Sequence, residues 1–191
     1  MIKKIIQYYR RKFLNLFSPK MVGGYKREKD GVFLPKTRIS NSTFIDHSHN
    51  FDIEDNVFIG HHNFIESSNG IIIEEGCQLT NFITLTTHSS HDSIRLYGAD
   101  GYTDEVKGYL KGSVFIGKYT FIGPHVTIMP NTNIGKGSIV SAYSMVQGDF
   151  PEFSIIKGNP AKVVGQTRER DALLLKKFPE LKENYKKWIE E

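Results

Sequence analysis

Aliphatic residues return at every sixth position in the second half of the chain, where residues 114–146 read VFIGKYTFIGPHVTIMPNTNIGKGSIVSAYSMV. The repeated positions are Ile116, Ile122, Ile128, Ile134, Val140 and Val146. An amphipathic helix repeats its apolar face about every 3.6 residues and a half-buried strand every two, so neither accounts for this period. The spacing therefore indicates a structure whose own repeat is six residues long.

The same period is present earlier in the chain, interrupted three times. It runs through Ile39 and Ile45, then Ile53, Ile59 and Ile65, then Ile73, Leu79 and Leu85. The steps from Ile45 to Ile53 and from Ile65 to Ile73 are eight residues, as if two residues were inserted at a corner. The step from Leu85 to Ile116 is 31 residues, which leaves an insertion of 25 relative to one six-residue step. We therefore predict an inserted loop over about residues 86–113.

Self-similarity at so short a period is typical of a coiled parallel β-structure, in which each hexad supplies one strand and one turn. Three hexads close one triangular coil, and the aliphatic residue of each hexad points inward. Glycine follows the aliphatic position at Gly60, Gly117, Gly123 and Gly135, where a turn tolerates little side chain. Cys77 falls at a small interior position, so we interpret it as part of the core rather than as a nucleophile. The predicted fold class is mainly β.

Helical patterns flank the repeat on both sides. Residues 2–17 place their apolar residues close to one helix face, with lysine and arginine on the opposite side. Residues 168–190 predict one or two helices, interrupted at Pro179. The predicted organisation is a basic amphipathic arm and linker over residues 1–30, a β-helix domain over residues 31–165 and a helical segment over residues 166–191.

Positive charge is concentrated at the N-terminus. Residues 1–30 hold nine lysines and arginines against Glu28 and Asp30, which gives +7 of a whole-chain charge of +4 and leaves −3 for the other 161 residues. A folded body without a basic face argues against nucleic-acid binding. The basic helix packs either on the body or a second subunit, which we prefer, or on a membrane surface.

The compartment is inferred from the same features. No apolar run approaches the ~20 residues of a membrane-spanning helix. The N-terminus also lacks the continuous apolar stretch and the cleavage site of a secretory signal. The single cysteine excludes an internal disulfide framework and fits a reducing compartment. We expect a cytoplasmic protein, with the inner face of the membrane as the place where the basic helix would bind.

The repeat, its long interruption and the closing stretch IVSAYSMVQGDFPEFSIIKGNPAKVVG together resemble the hexapeptide-repeat acyltransferases. Within them the chain looks like the maltose- and galactoside-type sugar O-acetyltransferases, over roughly residues 39–165. The resemblance implies a left-handed parallel β-helix, a homotrimer with active sites between subunits, and acetyl-CoA as the acyl donor. The implied reaction is acetyl transfer to a hydroxyl of a sugar or surface-polysaccharide intermediate, with no metal required.

This chemistry requires a base, because a sugar hydroxyl is a poor nucleophile at neutral pH. The interruption opens with LTTHSSHDSIRLYG, which places His88 and His91 in the region of the resembling family's catalytic histidine. We favour His91 slightly, because Ser90-His91-Asp92 is similar to a string that the family often shows. His88 would then orient the substrate or share the proton transfer. Glu66 or Asp92 would accept a hydrogen bond from the imidazole, and both are assigned to the substrate-binding side.

Four residues are candidates for binding the donor. Lys118 and Ala142 match positions that contact the pantetheine arm in galactoside-type enzymes. Gly123 is a candidate because the absence of a side chain would let a ligand approach the backbone. Lys162, in GNPAKVV, matches a basic position near the nucleotide end and could pair with a phosphate.

Other interpretations stay open. N-acetylation of an amino-sugar nucleotide, or acetylation of a xenobiotic, would use the same base. A metal-dependent protein similar to the γ-class carbonic anhydrases would need three histidines, for which His88, His91 and His125 are available. The short gap between His88 and His91 does not match that family. A non-catalytic trimeric scaffold would leave the histidine-bearing loop unexplained.

Overall fold

The computed structural model describes residues 2–16, 18–98 and 107–190. Its helices are α1 (Ile2–Leu16), α2 (Ser93–Tyr97), α3 (Thr167–Lys177) and α4 (Lys182–Ile189), with 3-10 turns at Ser48–Asn50 and Pro179–Leu181. The strands are β1 (Met21–Lys26), β2 (Phe33–Ser40), β3 (Phe44–Asp46), β4 (Phe51–Ile53), β5 (Phe58–Ile59), β6 (Phe64–Glu66), β7 (Ile71–Ile73), β8 (Gln78–Leu79), β9 (Thr84–Leu85), β10 (His88–Ser89), β11 (Leu110–Lys111), β12 (Val114–Ile116), β13 (Phe121–Ile122), β14 (Thr127–Ile134), β15 (Ile139–Val140), β16 (Met145–Phe150), β17 (Ser154–Gly158) and β18 (Ala161–Gln166). The predicted helices at both ends are confirmed, including the interruption at Pro179.

The strands stack in parallel on three faces, so the predicted parallel β-helix is confirmed. The first face consists of β2, β5, β8, β13, β15 and β17. The second face contains β3, β6 and β9, and the third contains β4, β7 and β12. β14 and β16 are long enough to turn the corner and supply a strand to both of these faces.

The three interruptions of the six-residue period all fall at one corner, between the second and third faces. The two-residue insertions join β3 to β4 and β6 to β7, and the long insertion joins β9 to β12. The long insertion contains the antiparallel pair β10–β11 and the helix α2. Its central residues, 99–106, lie outside the described part of the chain. We call this edge of the β-helix the inserted corner.

The repeated aliphatic residues form the core. From Ile53 to Val146, each of the twelve is 0% exposed, and pairing in register, such as Ile65 with Leu85, stacks them coil on coil. Cys77 is buried among them, as predicted, and burial raises the pKa of its thiol to about 12. A thiol with so high a pKa is not ionised at neutral pH, which agrees with a packing role.

Antiparallel strands and the C-terminal helices cover the remaining edges. β1 pairs antiparallel with the first rung of the first face, and β18 pairs antiparallel with the last. The ring of Trp188 in α4 packs 4.8 Å from that of Tyr119 and 5.8 Å from that of Phe153. These rings project at the corner between the third and first faces, so α4 covers the side of the β-helix.

Leu79 and Gln78 are adjacent in β8 and test the inward column. Leu79 is fully buried, whereas Gln78 is exposed. We expect Leu79→Ala to lower the free energy of unfolding by about 2–5 kcal/mol, because it leaves a cavity in a close-packed column. Gln78→Ala should change it by less than about 0.5 kcal/mol. Denaturant titration followed by circular dichroism measures both, and equal losses would contradict the inward assignment.

Candidate active site

Parallel pairing brings three polar segments together at the inserted corner. Ile65 and Leu85 are register partners on the second face, so the residues that follow them on the two coils lie side by side. The upper coil contributes Glu66 and Ser68, and the lower coil contributes Thr87 and His88. The corner is therefore polar where the rest of the column is aliphatic.

Glu66 is a buried carboxylate with three hydrogen-bond donors. It is 5% exposed. The Thr87 amide donates to Oε2 over 2.9 Å, the Thr87 hydroxyl to the same atom over 2.8 Å, and the Ser68 amide to Oε1 over 2.8 Å. Burial acts to raise the pKa of Glu66, but the hydrogen bonds from Ser68 and Thr87 together outweigh it and lower the pKa to about 2. Glu66 therefore carries a full negative charge at neutral pH.

His88 faces this carboxylate. Its Nδ1 lies 2.9 Å from Glu66 Oε2 and 3.2 Å from Ser68 Oγ, and its ring centroid lies 5.3 Å from that of Tyr109. A carboxylate only accepts hydrogen bonds, so a neutral imidazole in this position carries its proton on Nδ1. The lone pair is then on Nε2, and the side chain is 34% exposed, which gives a ligand access to it.

His91 has a different environment. Its Nδ1 lies 2.8 Å from Ser89 Oγ, and its Nε2 lies 3.5 Å from Asp92 Oδ2. The side chains of His91 and Asp92 are 54% and 49% exposed, and Asp92 also pairs with Arg95. An exposed carboxylate shared with an arginine holds an imidazole less firmly than a buried one. The preference for His91 remains a prediction from the sequence, and the geometry favours His88.

The two carboxylates proposed as imidazole acceptors are thus separated. Glu66 contacts His88, and Asp92 lies beside His91. The sequence analysis did not identify Ser68, Thr87 or Tyr109 as part of this cluster. A signal for the first two was present, because the 20-residue distance from Ile65 to Leu85 places Glu66 next to the start of the inserted loop.

Gly123 and Ala142 lie at another corner, between the first and second faces. They stack on each other, since a Cβ at Gly123 would lie 2.7 Å from the Ala142 nitrogen. Close stacking of the coils is therefore sufficient reason for a glycine at position 123. Exposed rings follow the same corner, with Phe82, His125 and Tyr143 stacked at centroid distances of 5.0 and 4.7 Å.

The two candidate lysines lie elsewhere. Lys118 follows β12 and, with Phe115 and Gly117, lines a groove of about 440 Å³ on the third face. Its backbone amide donates to Glu74 Oε2 over 2.9 Å. Lys162 is exposed on the β17–β18 hairpin, at the far end of the coil stack. Within one chain, the four donor candidates and His88 therefore occupy different edges of the β-helix.

Open grooves lie on both sides of His88 along the third face. One, of about 410 Å³, is lined by Ser68 together with Asn50, Asn69 and His49. Another, of about 630 Å³, is lined by Phe115, Ser113, Asn131 and Asn133, and it adjoins the Lys118 groove through Phe115. Both have polar and aromatic walls, which suits ligands that carry hydroxyl or amide groups.

The histidine set of the metal-dependent alternative is not brought together. His88 and His91 lie at the inserted corner, whereas His125 stacks between Phe82 and Tyr143 at another. Over residues 2–16, 18–98 and 107–190, no group of three or more histidine, cysteine, aspartate or glutamate side chains is arranged to hold a metal ion.

Comparison with known proteins gives a family match in the repeat. The bacterial transferase hexapeptide family (six repeats) matches residues 113–148. A putative lipopolysaccharide biosynthesis O-acetyl transferase of Escherichia coli K12, WbbJ, is 30% identical over 58% of this chain and 57% of its own length. A putative acetyltransferase of Saccharomyces cerevisiae is 32% identical over 63% and 61%. The chain thus spans less than two thirds of these curated relatives.

Two solved structures have a similar fold. A maltose O-acetyltransferase from Clostridium difficile 630 superposes with a TM-score of 0.58 at 23% identity, covering 66% of this chain and 64% of that one. AntD, an N-acyltransferase from Bacillus cereus solved with dTDP and 3-hydroxybutyryl-CoA, gives 0.55 at 20% identity, covering 75% and 89%. The resemblance named from the sequence is confirmed: this is a hexapeptide-repeat protein with the fold of the hexapeptide-repeat acyltransferases.

The buried Glu66 carboxylate predicts a specific acid sensitivity. Its pKa of about 2 in the folded protein lies below the ordinary value of 4.5. A lowered pKa stabilises the fold fully above the unfolded value, and that contribution is lost as the pH falls from about 4.5 toward about 2. We expect Glu66→Gln to lose about 3 kcal/mol of stability at neutral pH and to approach the wild type across this window.

Denaturant titrations at several pH values measure this difference, with Asp92→Asn as the control. Asp92 is half exposed, so its variant should follow the wild-type pH profile closely. A wild-type advantage over Glu66→Gln that stays constant down to pH 2 would show that the Glu66 charge does not stabilise the fold.

Proposed function

We propose that this protein is an acyltransferase that transfers the acetyl group of acetyl-CoA to a hydroxyl of a sugar or surface-polysaccharide intermediate, with His88 as the general base. The observation that carries the proposal is the contact between His88 Nδ1 and the buried, ionised Glu66 carboxylate. The named activities of the relatives and the repeat that they share support the reaction class.

The reaction proceeds by direct transfer. His88 Nε2 removes the proton of the acceptor hydroxyl while the oxygen attacks the thioester carbonyl. The tetrahedral intermediate collapses with cleavage of the carbon–sulfur bond, and the imidazolium returns the proton to the departing thiolate. The products are the acetyl ester and free coenzyme A, so atoms and charge balance without a metal ion. General-base assistance of this kind contributes about 10²- to 10⁴-fold to the rate.

Glu66 is a positioning residue in this scheme. Its charge stabilises the imidazolium that forms while the proton is held, and its hydrogen bond keeps the Nε2 lone pair directed at the acceptor. Because its pKa is about 2, Glu66 stays ionised and does not take the proton itself. Ser68 and Thr87 hold the carboxylate in place through the hydrogen bonds that also keep it charged.

The acceptor would occupy the groove that Ser68 shares with His88. Asn50, Asn69 and His49 line this groove, and side chains of this kind pair well with the many hydroxyls of a sugar. A carbohydrate acceptor is supported by the names of two similar proteins, one tied to lipopolysaccharide biosynthesis and one to maltose. Glu66 thus acts next to the substrate, and Asp92 is not needed in this arrangement.

The donor would bind between subunits of a homotrimer. Gly123 and Ala142 lie one full face away from His88, so the pantetheine arm of acetyl-CoA reaches both only if a neighbouring chain supplies one of the two edges. An assembly in which the inserted corner of one subunit meets the Gly123–Ala142 edge of the next satisfies this requirement. In that assembly Lys118 and Lys162 are the cations available to the phosphates of the donor.

N-acyl transfer to an amino-sugar nucleotide is the second candidate. It is favoured by the likeness to AntD, an N-acyltransferase that was solved with a nucleoside diphosphate and an acyl-CoA. The same base and donor would serve both reactions, so the acceptor panel must contain sugars, oligosaccharides and amino-sugar nucleotides. Release of the coenzyme A thiol, followed by mass analysis of the product and its stability in mild base, separates esters from amides.

The assignment of the base is tested by His88→Ala. We expect turnover of acetyl-CoA with the best acceptor to fall at least ~10²-fold, because a general base acts only in the chemical step. The affinity for coenzyme A, measured by calorimetry, should change little. Glu66→Gln should lower turnover less than His88→Ala does, since the imidazole is retained.

His91→Ala is the matched control, since both histidines lie in the same loop. It should keep turnover within a few-fold of the wild type. A dead His91→Ala beside an active His88→Ala would reverse the assignment, and near-normal turnover in both variants would exclude a base from this loop.

The shared site is tested by mixing two inactive variants. His88→Ala removes the base, and Ala142→Trp is expected to fill the donor groove. If each site takes His88 from one subunit and Ala142 from its neighbour, randomly mixed trimers should regain roughly a quarter of the wild-type activity. Co-expression with two affinity tags isolates the mixed species. No recovery in trimers that contain both variants, or a monomer in sedimentation equilibrium, would contradict the shared site.

A further inference from the structure

The N-terminal helix α1 has an uncovered apolar face. Ile5, Ile6 and Tyr9 are 49%, 60% and 65% exposed, so the β-helix does not cover them. At about 100° per residue, these three side chains and Phe13 fall within an arc of roughly 100°. We propose that α1 binds the surface of an anionic lipid membrane through this face.

Positive charge surrounds the apolar arc. Residues 2–16 contain five lysines and arginines and no acidic residue. On the helical wheel, Arg10 and Lys12 flank the arc on its two sides, and Lys4 and Arg11 lie opposite. A helix that lies in a bilayer interface presents this arrangement, with apolar groups toward the acyl chains and cations at headgroup level. An uncharged protein groove would not select the flanking cations.

The length of α1 restricts the mode of binding. Its 15 residues extend about 22 Å, which is shorter than the ~30 Å hydrocarbon core of a bilayer. No helix among the described residues is long and apolar enough to cross a membrane. The helix therefore lies in the plane of the interface and anchors the protein reversibly.

Charge on the rest of the chain is compatible with this orientation. Outside residues 1–30 the net charge is −3 by subtraction from the whole-chain value, so the body is not itself attracted to anionic lipid. Binding would then depend on α1 alone. This proposal is independent of the acyl-transfer reaction, although it would place the enzyme beside acceptors that are attached to lipid.

The test uses the full-length protein and vesicles of defined composition. Flotation is measured with vesicles of pure phosphatidylcholine and with vesicles that contain phosphatidylglycerol. We expect binding to the anionic vesicles that weakens as salt is raised, and little binding to the neutral ones. Equal binding to both compositions, or binding to neither, would overturn the proposal.

Two adjacent tyrosines provide a matched pair of variants. Tyr9 lies at the centre of the apolar arc, whereas Tyr8 lies outside it, beside Lys12. Both substitutions to glutamate add one negative charge, which costs about fivefold in affinity for anionic vesicles. Tyr9→Glu also removes buried apolar area, so it should bind at least about tenfold more weakly than Tyr8→Glu.

Two further measurements separate membrane binding from other causes. Circular dichroism and acetyl-CoA turnover with a water-soluble acceptor should be unchanged in both variants, because α1 is remote from His88. Sedimentation equilibrium identifies the other occupant of this face, a second copy of the chain. A change of oligomeric state in Tyr9→Glu, or equal vesicle binding by the two variants, would assign the face to something other than lipid.

Discussion

Parallel register between successive coils is the constraint on which the structure depends. Each coil must place an aliphatic side chain on each of three inward columns, because a column of fully buried isoleucine, leucine and valine has no space for a polar group. A strand shifted by one residue would exchange its inward and outward side chains. The six-residue period of the sequence is the direct expression of this requirement, and the backbone hydrogen bonds between coils follow from it.

The same register creates the site. Turns at two of the corners are tight, and extra residues accumulate at the third, where the chain leaves the second face. Because Ile65 and Leu85 are paired, the glutamate after the first lies beside the threonine and histidine that follow the second. The interior pairing thus positions Glu66 and His88 to within hydrogen-bond distance, although they are 22 residues apart in the sequence. A catalytic residue on a loop is held here by its contact with a rigid coil.

Prediction from the sequence was most successful where the period is regular. The aliphatic column, the corner insertions, the buried Cys77 and the flanking helices all follow from spacing and composition, because each is a local or periodic property of the chain. The choice between His88 and His91 was harder, because it depends on which of two nearby loop residues faces a carboxylate on the preceding coil. Their flanking residues do not show this contact. The 20-residue register between Ile65 and Leu85 does, but only once the corner at which the insertions fall is known.

The central claim is that Glu66 holds His88 with its proton on Nδ1 and its lone pair on Nε2. Nitrogen NMR of protein labelled at histidine reports directly which ring nitrogen of a neutral imidazole carries the proton, and the His88→Ala variant assigns the signal. We predict that the neutral His88 ring is protonated at Nδ1 in the wild type, and that this preference weakens in Glu66→Gln. A wild-type His88 protonated at Nε2, with Nδ1 bare, would contradict the account.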